Sequence, residues 1–209
     1  MIKHKIYQPI YHFKLEEHNQ IKDRLIKLLT AETDKIQTSC KDRNDPDNMT
    51  MLDFEYSTDM SRKWVKFFKP FWDSKVFELS KEVGFTEVDK VQIWFQKYHK
   101  PGDGHGWHIH GGNFTGVYYL EFGKKSPRTE LVDPFTRQII KMNVKEGDLI
   151  FFPSHIYHRC PLVSDNNKKT IVSWNFSILG ANPDYKINYS LFNKLVSYNP
   201  LNTTIKAND

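Results

Sequence analysis

The chain has 209 residues, enough for one sizeable core and short for two, so we expect a single domain over residues 1–209. An aromatic content of 14% argues against general disorder, and no apolar run reaches the roughly 18 residues of a membrane-spanning helix. Charges interrupt the apolar residues of the N-terminus and the chain has only two cysteines, so we expect no signal or transit peptide and a cytoplasmic location. The net charge of +5 is modest, whereas six of the nine histidines fall between positions 99 and 158.

The first 87 residues are predicted to be mainly helical. Residues 15–29 place apolar side chains on one helix face, and residues 61–83 form a second helical region that Gly84 is well placed to end. Pro70 lies inside the second region and predicts two helices or one kink. The polar stretch 38–50 is rich in turn formers, which indicates a surface loop that we expect to face the substrate.

From residue 88 onward the hydrophobic pattern changes to short runs of β-branched and aromatic residues. Gly, Pro, Asn and Asp separate these runs at the spacing of an antiparallel sandwich or barrel. We therefore expect the α+β class, with helical support from residues 1–87, a β core over residues 88–180 and a C-terminal extension over residues 181–209. Residues 191–196 of that extension are predicted to form a short docking helix.

The segment YHKPGDGHGWHIH, residues 98–110, holds the first candidate metal ligands. Its glycines indicate a flexible entry into a strand, and within a strand His108 and His110 would point to the same face. Two imidazoles a few ångströms apart suit a first-row divalent metal. A pair of hydrogen-bonded histidines without a metal is the alternative interpretation.

The segment EGDLIFFPSHIYH, residues 146–158, favours the metal. It begins with a turn, continues as an apolar strand, and ends with His158 on the next strand. A third imidazole from a neighbouring strand can close a facial triad that leaves coordination positions open. A structural zinc site would need a fourth ligand, and Cys160, although expected on the face of His158, is more simply a small buried residue.

Three motifs in order, HIHGGNFTGVYYL, EGDLIFFPSHIYH and KKTIVSWNFSI, resemble those of the 2-oxoglutarate- and Fe(II)-dependent oxygenases, and more narrowly the short oxygenases of bacteria and phages. The resemblance spans residues 91–178. It implies a double-stranded β-helix (jelly-roll, cupin-like) core with the N-terminal helices packed on its outer sheet. It also implies Fe(II), 2-oxoglutarate as cosubstrate and O2, and hydroxylation of an unactivated C–H bond of a protein residue or small metabolite with release of succinate and CO2.

Carried over residue by residue, the metal-binding pair of the superfamily falls on His108 and His110, and the distal histidine falls on His158. His110 stands where most members have a carboxylate, which would raise the net charge of the metal site by one. The alternative third ligand is Glu130 or Asp133 on the following strand region.

The cosubstrate positions of the superfamily also have counterparts. Tyr98 and Tyr119 match tyrosines that contact 2-oxoglutarate, and the basic residue that pairs with its far carboxylate falls on Lys169, with Lys168 as the neighbouring candidate. A lysine supplies the charge of the usual arginine without its bidentate fork. Ser173 shares the face of Lys169 by strand alternation.

Other residues of the core are further candidates for the pocket. His105 is expected either at the substrate mouth or as an exposed loop histidine. The aromatic residues Trp94, Trp107, Phe151 and Trp174 are candidates to line the pocket, although we expect at least half of them to be core.

Three other functions compete with the oxygenase. A three-His cupin-type metalloenzyme without 2-oxoglutarate fits the spacing of Gly147, Pro153 and His158, but the next acid after the H-x-H pair is as distant as Glu121. A non-catalytic β-sandwich binding module would use the histidines structurally. Nucleic-acid binding, suggested by the basic cluster at residues 124–128, is disfavoured because no basic run is long and acids are interspersed.

Overall fold

The computed structural model describes residues 8–33, 48–165 and 167–180, and within them it has a helical layer followed by an antiparallel β core. The predicted docking helix at 191–196 and most of the loop at 38–50 lie outside the described residues. The elements in chain order are β1 (Tyr11–Lys14), α1 (His18–Thr33), β2 (Met51–Leu52), a 3-10 helix (Phe54–Tyr56), α2 (Lys63–Val83), β3 (Glu87–Tyr98), β4 (His105–His108), β5 (Phe114–Phe122), β6 (Glu130–Val132), β7 (Ile139–Lys141), β8 (Asp148–Pro153), β9 (His158–Cys160) and β10 (Lys169–Leu179).

The strands form two sheets, and every pairing among the described strands is antiparallel. The major sheet has the order β1-β8-β5-β10-β3-β2, and the minor sheet has the order β4-β9-β6-β7. Neighbouring strands are distant in sequence, as in a double-stranded β-helix. The predicted α+β class with a jelly-roll core is therefore confirmed.

The outer face of the major sheet is covered by the two helices. Helix α2 turns Trp64, Phe68 and Trp72 toward the sheet, and all three are fully buried. Pro70 lies inside this single continuous helix, so the structure has one helix where two were an alternative. Aromatic packing on both sides of the proline holds the helix across it. Gly84 ends the helix as predicted, in the left-handed conformation with φ of 83°, and its N–H donates to the Ser80 carbonyl.

The inner face of the major sheet meets the minor sheet in a second apolar cluster. Its buried members come from both sheets and include Val117, Ile150, Ile171, Leu131 and Cys160. The inside of the barrel formed by these two sheets is where the candidate site lies. No helix among the described residues is long and apolar enough to span a bilayer.

Close packing fixes the centre of the major sheet. A Cβ atom added at Gly116 of β5 would lie 2.3 Å from the Ile150 carbonyl oxygen of β8 and 2.6 Å from the Trp174 ring of β10. Only glycine therefore fits where β5 passes between these two strands.

Candidate active site

Three histidines meet at one end of the barrel interior. His108 ends β4 and His158 begins β9, and the two residues are directly opposite each other on these adjacent antiparallel strands of the minor sheet. His110 follows two residues after the end of β4. One ring nitrogen from each of the three lies within 4.8 Å of the others, and Nε2 of His110 is 3.1 Å from Nε2 of His158. The structure thus brings together the three predicted ligands.

Backbone carbonyls orient two of the rings. Nδ1 of His108 lies 2.7 Å from the Gly106 carbonyl oxygen, and Nδ1 of His158 lies 3.0 Å from the Ile156 carbonyl oxygen. A carbonyl oxygen can only accept, so each Nδ1 carries the proton and donates. In the neutral ring Nε2 then keeps its lone pair, and this arrangement is the common second layer around metal-binding histidines.

His110 is positioned differently from the sequence prediction. We expected one strand to carry both histidines of the H-x-H pair, but β4 ends at His108, with a register irregularity between His105 and His108. The His110 backbone N–H instead donates to the Ser154 carbonyl, which fixes the residue beyond the strand end. Its ring centroid lies 5.7 Å from that of Trp94.

Burial keeps two of these imidazoles neutral. Desolvation lowers the pKa of His110 to about 3, and the neighbouring rings of His108 and His105 add to the shift. Desolvation also holds the pKa of His158 well below its usual value. A neutral ring can give its lone pair to a metal without first losing a proton. His110 and His158 therefore offer neutral nitrogen donors near neutral pH.

Neither candidate carboxylate joins the histidines. Glu130 points away from them and pairs with Arg159, whose Nε lies 2.8 Å and whose terminal nitrogen lies 2.7 Å from its carboxylate. Asp133 accepts hydrogen bonds from the backbone N–H groups of Phe135 and Thr136 in the β6–β7 turn. The geometry thus favours His110 over both acids as the third member.

His105 lies inside the site. Its ring stacks on that of His108, with centroids 3.7 Å apart and planes 18° apart. Gln96 Nε2 is 3.4 Å from His105 Nδ1, which ties this ring to β3. We expected His105 either at the substrate mouth or as an exposed loop histidine, and the structure places it in the lining of the cavity.

A small cavity of about 30 Å³ extends from the histidines into the barrel. The side chains that line it come from both sheets and are mostly aromatic, imidazole or uncharged polar groups. They belong to Trp94, Gln96, Tyr98, His105, His108, His110, Thr115, Val117, Thr129, His158, Arg159, Cys160, Ile171 and Ser173.

Lys169 lies directly behind the deep end of this cavity. The side chain is fully buried, and Nζ donates to the Pro127 carbonyl oxygen at 2.8 Å and to Cys160 Sγ at 3.0 Å. No carboxylate in the described part of the chain pairs with it, although an ammonium carries three donors. Lys168, by contrast, is exposed. Strand alternation thus turns Lys169 inward and leaves Lys168 on the surface.

The remaining predicted cosubstrate residues are all buried. The Tyr98 ring centroid lies 5.3 Å from Lys169 Nζ. Tyr119 is fully buried, its hydroxyl donates to Thr129 Oγ1 at 2.7 Å, and burial raises its pKa so that it stays protonated. Ser173 lines the cavity and donates to Gln96 Oε1 at 3.3 Å.

Gln96 and Thr129 are among the lining residues that were not predicted from the sequence. Gln96 could have been found, because alternation along β3 puts Trp94, Gln96 and Tyr98 on one face. Thr129 precedes β6 in a loop, where no periodic signal exists.

The four candidate aromatic residues divide between the cavity and other surroundings. Trp94 lines the cavity, whereas Phe151 and Trp174 are buried in the cluster beneath the helices. Trp107 is 38% exposed, with the Arg159 guanidinium 4.5 Å from its ring centroid. The expectation that at least half are core residues agrees with this distribution.

Comparison with known proteins gives matches among solved structures. No family model and no curated protein matches the sequence. A prolyl hydroxylase from Trichoplax adhaerens, solved with a hypoxia inducible factor oxygen degradation domain peptide fragment, has a TM-score of 0.60 at 12% identity over 80% of this chain and 83% of its own. A Pseudomonas putida prolyl-4-hydroxylase has a TM-score of 0.56 at 10% identity over 83% of this chain and 94% of its own.

A third similar structure is the viral collagen prolyl hydroxylase from Paramecium Bursaria Chlorella virus-1, solved as a 2-oxoglutarate complex. Its TM-score is 0.53 at 17% identity over 79% of this chain and 95% of its own. At such identities the similarity concerns the fold. The chain therefore has the fold of these prolyl hydroxylases, which is the fold that the resemblance of its motifs implies.

Proposed function

We propose that this protein is an Fe(II)- and 2-oxoglutarate-dependent dioxygenase. The observation that carries the proposal is a group of three converging imidazoles that line a cavity of the barrel, with the buried Lys169 behind the cavity wall and no carboxylate partner for it among the described residues. The first group suits a divalent metal, and the second suits a dicarboxylate that reaches from the metal into the barrel.

His108, His110 and His158 would hold the metal. Three ligands leave positions for 2-oxoglutarate and O2, as in the open sites of non-haem oxygenases. With His110 in place of a carboxylate, the protein contributes no negative charge to the site. The iron, when bound, would supply O2 activation coupled to oxidative decarboxylation of 2-oxoglutarate to succinate and CO2.

Lys169 would bind the far carboxylate of 2-oxoglutarate. Its third N–H is available for a carboxylate oxygen, and the buried site strengthens such a charge-assisted bond. Tyr119, held by Thr129, and Ser173 would add neutral hydrogen bonds, and Tyr98 would form an aromatic wall beside the ammonium. Lys168 would have no part in binding, because its side chain is exposed.

The protein's own contribution is to exclude water and to hold these groups in place. The apolar cluster between the sheets surrounds the deep end of the cavity, and the carbonyl oxygens of Gly106 and Ile156 fix the orientations of two rings by accepting hydrogen bonds from Nδ1. The reaction would hydroxylate an unactivated C–H bond of a protein residue or small metabolite. Nucleic acid is not expected as a substrate, and the low number of cysteines supports a cytoplasmic location.

The alternatives explain less of the structure. A three-His cupin-type enzyme without 2-oxoglutarate would leave Lys169 buried without a partner charge, at a cost in stability. A non-catalytic module would not require three converging imidazoles beside a cavity.

The test is succinate formation from 2-oxoglutarate by the protein reconstituted anaerobically with Fe(II) and then exposed to O2. We expect succinate from the wild-type protein, and neither bound metal nor succinate from the His108→Ala and His158→Ala variants. The His155→Ala variant is the matched control, because His155 is an exposed histidine of the same segment. Iron-dependent O2 chemistry without succinate would contradict the proposal and support the cupin alternative.

A further inference from the structure

A cysteine of one sheet and a lysine of the other are in contact inside the barrel. Cys160 lies on β9 of the minor sheet, and Lys169 lies on β10 of the major sheet. Lys169 Nζ is 3.0 Å from Cys160 Sγ, and the two residues are 0% and 7% exposed, respectively. The fold therefore holds an amine nitrogen and a thiol sulfur next to each other, away from bulk water.

The sulfur of this pair is a free thiol. Cys160 forms no disulfide within the described residues, and its other contact is a weak donation from Sγ to the Pro161 carbonyl oxygen at 3.5 Å. Lys169 Nζ donates to the sulfur and to the Pro127 carbonyl oxygen. Neither contact blocks the sulfur by a covalent bond or a metal, so Cys160 keeps the reactivity of a thiol.

A small oxidant can reach the sulfur from the cavity beside the histidines. Cys160 belongs to the lining of that cavity, as do His105 and His158, whereas Lys169 does not. The cavity of about 30 Å³ exceeds the roughly 10–15 Å³ that one water molecule needs. Hydrogen peroxide, which has two oxygen atoms, is of a size to enter it. It would meet the thiol first, with the amine directly behind.

We propose that Cys160 and Lys169 form an oxidative modification site, at which hydrogen peroxide creates a covalent S–N link between the two sheets. The contact of the two side chains and the cavity at Cys160 carry this inference. The modifying reagent is a small two-electron oxidant, because the lining leaves no room for a bulky one.

The chemistry takes two steps. Cys160 Sγ takes one oxygen atom from hydrogen peroxide, so the O–O bond breaks, water leaves and the thiol is oxidised to a sulfenic acid. Lys169 Nζ then attacks the sulfur, the S–N bond forms and the S–O bond breaks. The hydroxyl leaves as water with one proton of the ammonium, and a second proton is released. Sulfenic acids condense with nitrogen in this way to give sulfenamides, and the flexible lysine side chain supplies the remaining approach.

The link would remove the positive charge of Lys169. A sulfenamide nitrogen is uncharged, so it could not bind the far carboxylate of 2-oxoglutarate. Oxidation at Cys160 would thus switch off cosubstrate binding, and reduction by a thiol would restore it. This consequence rests on the proposed function, whereas the cross-link itself does not.

The first test is a search for the linked peptides. It uses the full chain in the Cys40→Ser background, because a disulfide between the two cysteines of the chain would cost the same two hydrogen atoms. The reduced protein is treated with hydrogen peroxide, digested with trypsin and analysed by mass spectrometry without reduction. We expect peptide 160–168 joined to the peptide that begins at Lys169, with the loss of two hydrogen atoms and of cleavage after Lys169. Dithiothreitol should separate the two peptides.

The Lys169→Met variant shows whether the amine captures the oxidised sulfur. Its sulfenic acid has no amine partner, so dimedone, which reacts with sulfenic acids, should label Cys160 more strongly than in the parent protein. Lys168→Arg is the matched control, because it changes the exposed neighbour and should form the link as the parent does. Equal dimedone labelling of Lys169→Met and its parent without linked peptides would overturn the inference, as would the absence of oxidation at Cys160.

The second test measures the consequence for the cosubstrate. Calorimetry gives the Kd for N-oxalylglycine of the Zn(II)-loaded protein before peroxide treatment, after it, and after subsequent reduction with dithiothreitol. We expect peroxide to raise the Kd by roughly 100-fold or more, because a buried ion pair loses one partner, and dithiothreitol to reverse the change. The Kd of Cys160→Ala should not respond to peroxide. An equal response in Cys160→Ala would overturn the proposed effect on binding.

Failure of the proposed function would look different. The linked peptides would then form, while the untreated protein bound no N-oxalylglycine and made no succinate from 2-oxoglutarate. Binding of N-oxalylglycine without any linked peptide after peroxide would instead reject the modification site and leave the proposed function in place.

Discussion

Replacing Lys169 with methionine should have opposite effects on two measured quantities, the stability of the free protein and its affinity for the cosubstrate. Methionine fills a similar volume without charge, and exchange of buried charged groups for apolar ones stabilises proteins by about 1–4 kcal/mol. The Pro127 carbonyl loses its donor in this variant, so we expect the lower half of that range, about 1–2 kcal/mol. For a chain of this size the unfolding midpoint of the cosubstrate-free protein should rise by about 3–6 °C.

The same variant should bind the cosubstrate poorly. Removing one partner of a buried ion pair costs about 3–5 kcal/mol. At about 1.4 kcal/mol for each tenfold change, the Kd for N-oxalylglycine should rise by roughly 100-fold to 1,000-fold or more. Calorimetric titration of N-oxalylglycine into the Zn(II)-loaded protein gives this Kd, and differential scanning calorimetry gives the midpoint.

Lys168→Met is the matched control, because it removes the same charge from an exposed neighbour. We expect it to change neither quantity. An unchanged Kd in Lys169→Met, or the same loss in Lys168→Met, would refute the assignment of the buried lysine as the carboxylate anchor. A lowered midpoint in Lys169→Met would show that its ammonium is already balanced in the free protein.

Four further predictions concern the metal site, the cosubstrate site and the core. His110→Ala should lose stoichiometric metal, measured by plasma emission spectrometry after dialysis, whereas Glu130→Gln should keep it; the opposite pattern would identify the acid as the ligand. Below pH 6.5 the unfolded chain protonates His110 and the folded chain does not until about pH 3. The unfolding free energy of the metal-free protein should therefore decrease as the pH is lowered through that window, by up to about 1.4 kcal/mol per pH unit for this residue. Urea titrations of His110→Gln should show a smaller decrease of the unfolding free energy per pH unit. Tyr119→Phe should weaken N-oxalylglycine binding by roughly tenfold, because a hydrogen bond to a charged group contributes about 1.5–3 kcal/mol, and an unaltered Kd would remove this hydroxyl from the cosubstrate site. Gly116→Ala should destabilise the protein in urea by about 1–3 kcal/mol, since its Cβ would meet backbone, whereas Gly111→Ala, whose Cβ would meet nothing within 4 Å, should not.

The parts of the fold that the sequence predicts well are those set by local periodicity and glycine. The α2 face of Trp64, Phe68 and Trp72, the end of that helix at Gly84, and the short alternating strands all follow from side-chain spacing. Pro70 shows the limit of such reasoning, because aromatic packing on both sides of it overrides the local preference for a break.

The site was predictable in its members more than in its geometry. His108 and His158 follow from motif order and become cross-strand partners. His110 lies beyond the end of the strand and is held at the same site by a backbone hydrogen bond to Ser154, which no sequence pattern predicts. The buried Glu130 carboxylate goes to Arg159, a choice made by register across the minor sheet, which a single sequence does not specify.

The register of β10 links features that otherwise look independent. A one-residue slip of this strand against its neighbours would exchange the faces of all its side chains, turning Lys168 inward in place of Lys169 and Ser173 outward at the same time. The environments of Lys169 and Ser173 therefore cannot be altered separately by shifting this strand. Insertions should be tolerated in the loop before Lys169, and changes of specificity should be reached by substitution at fixed length within Lys169–Leu179.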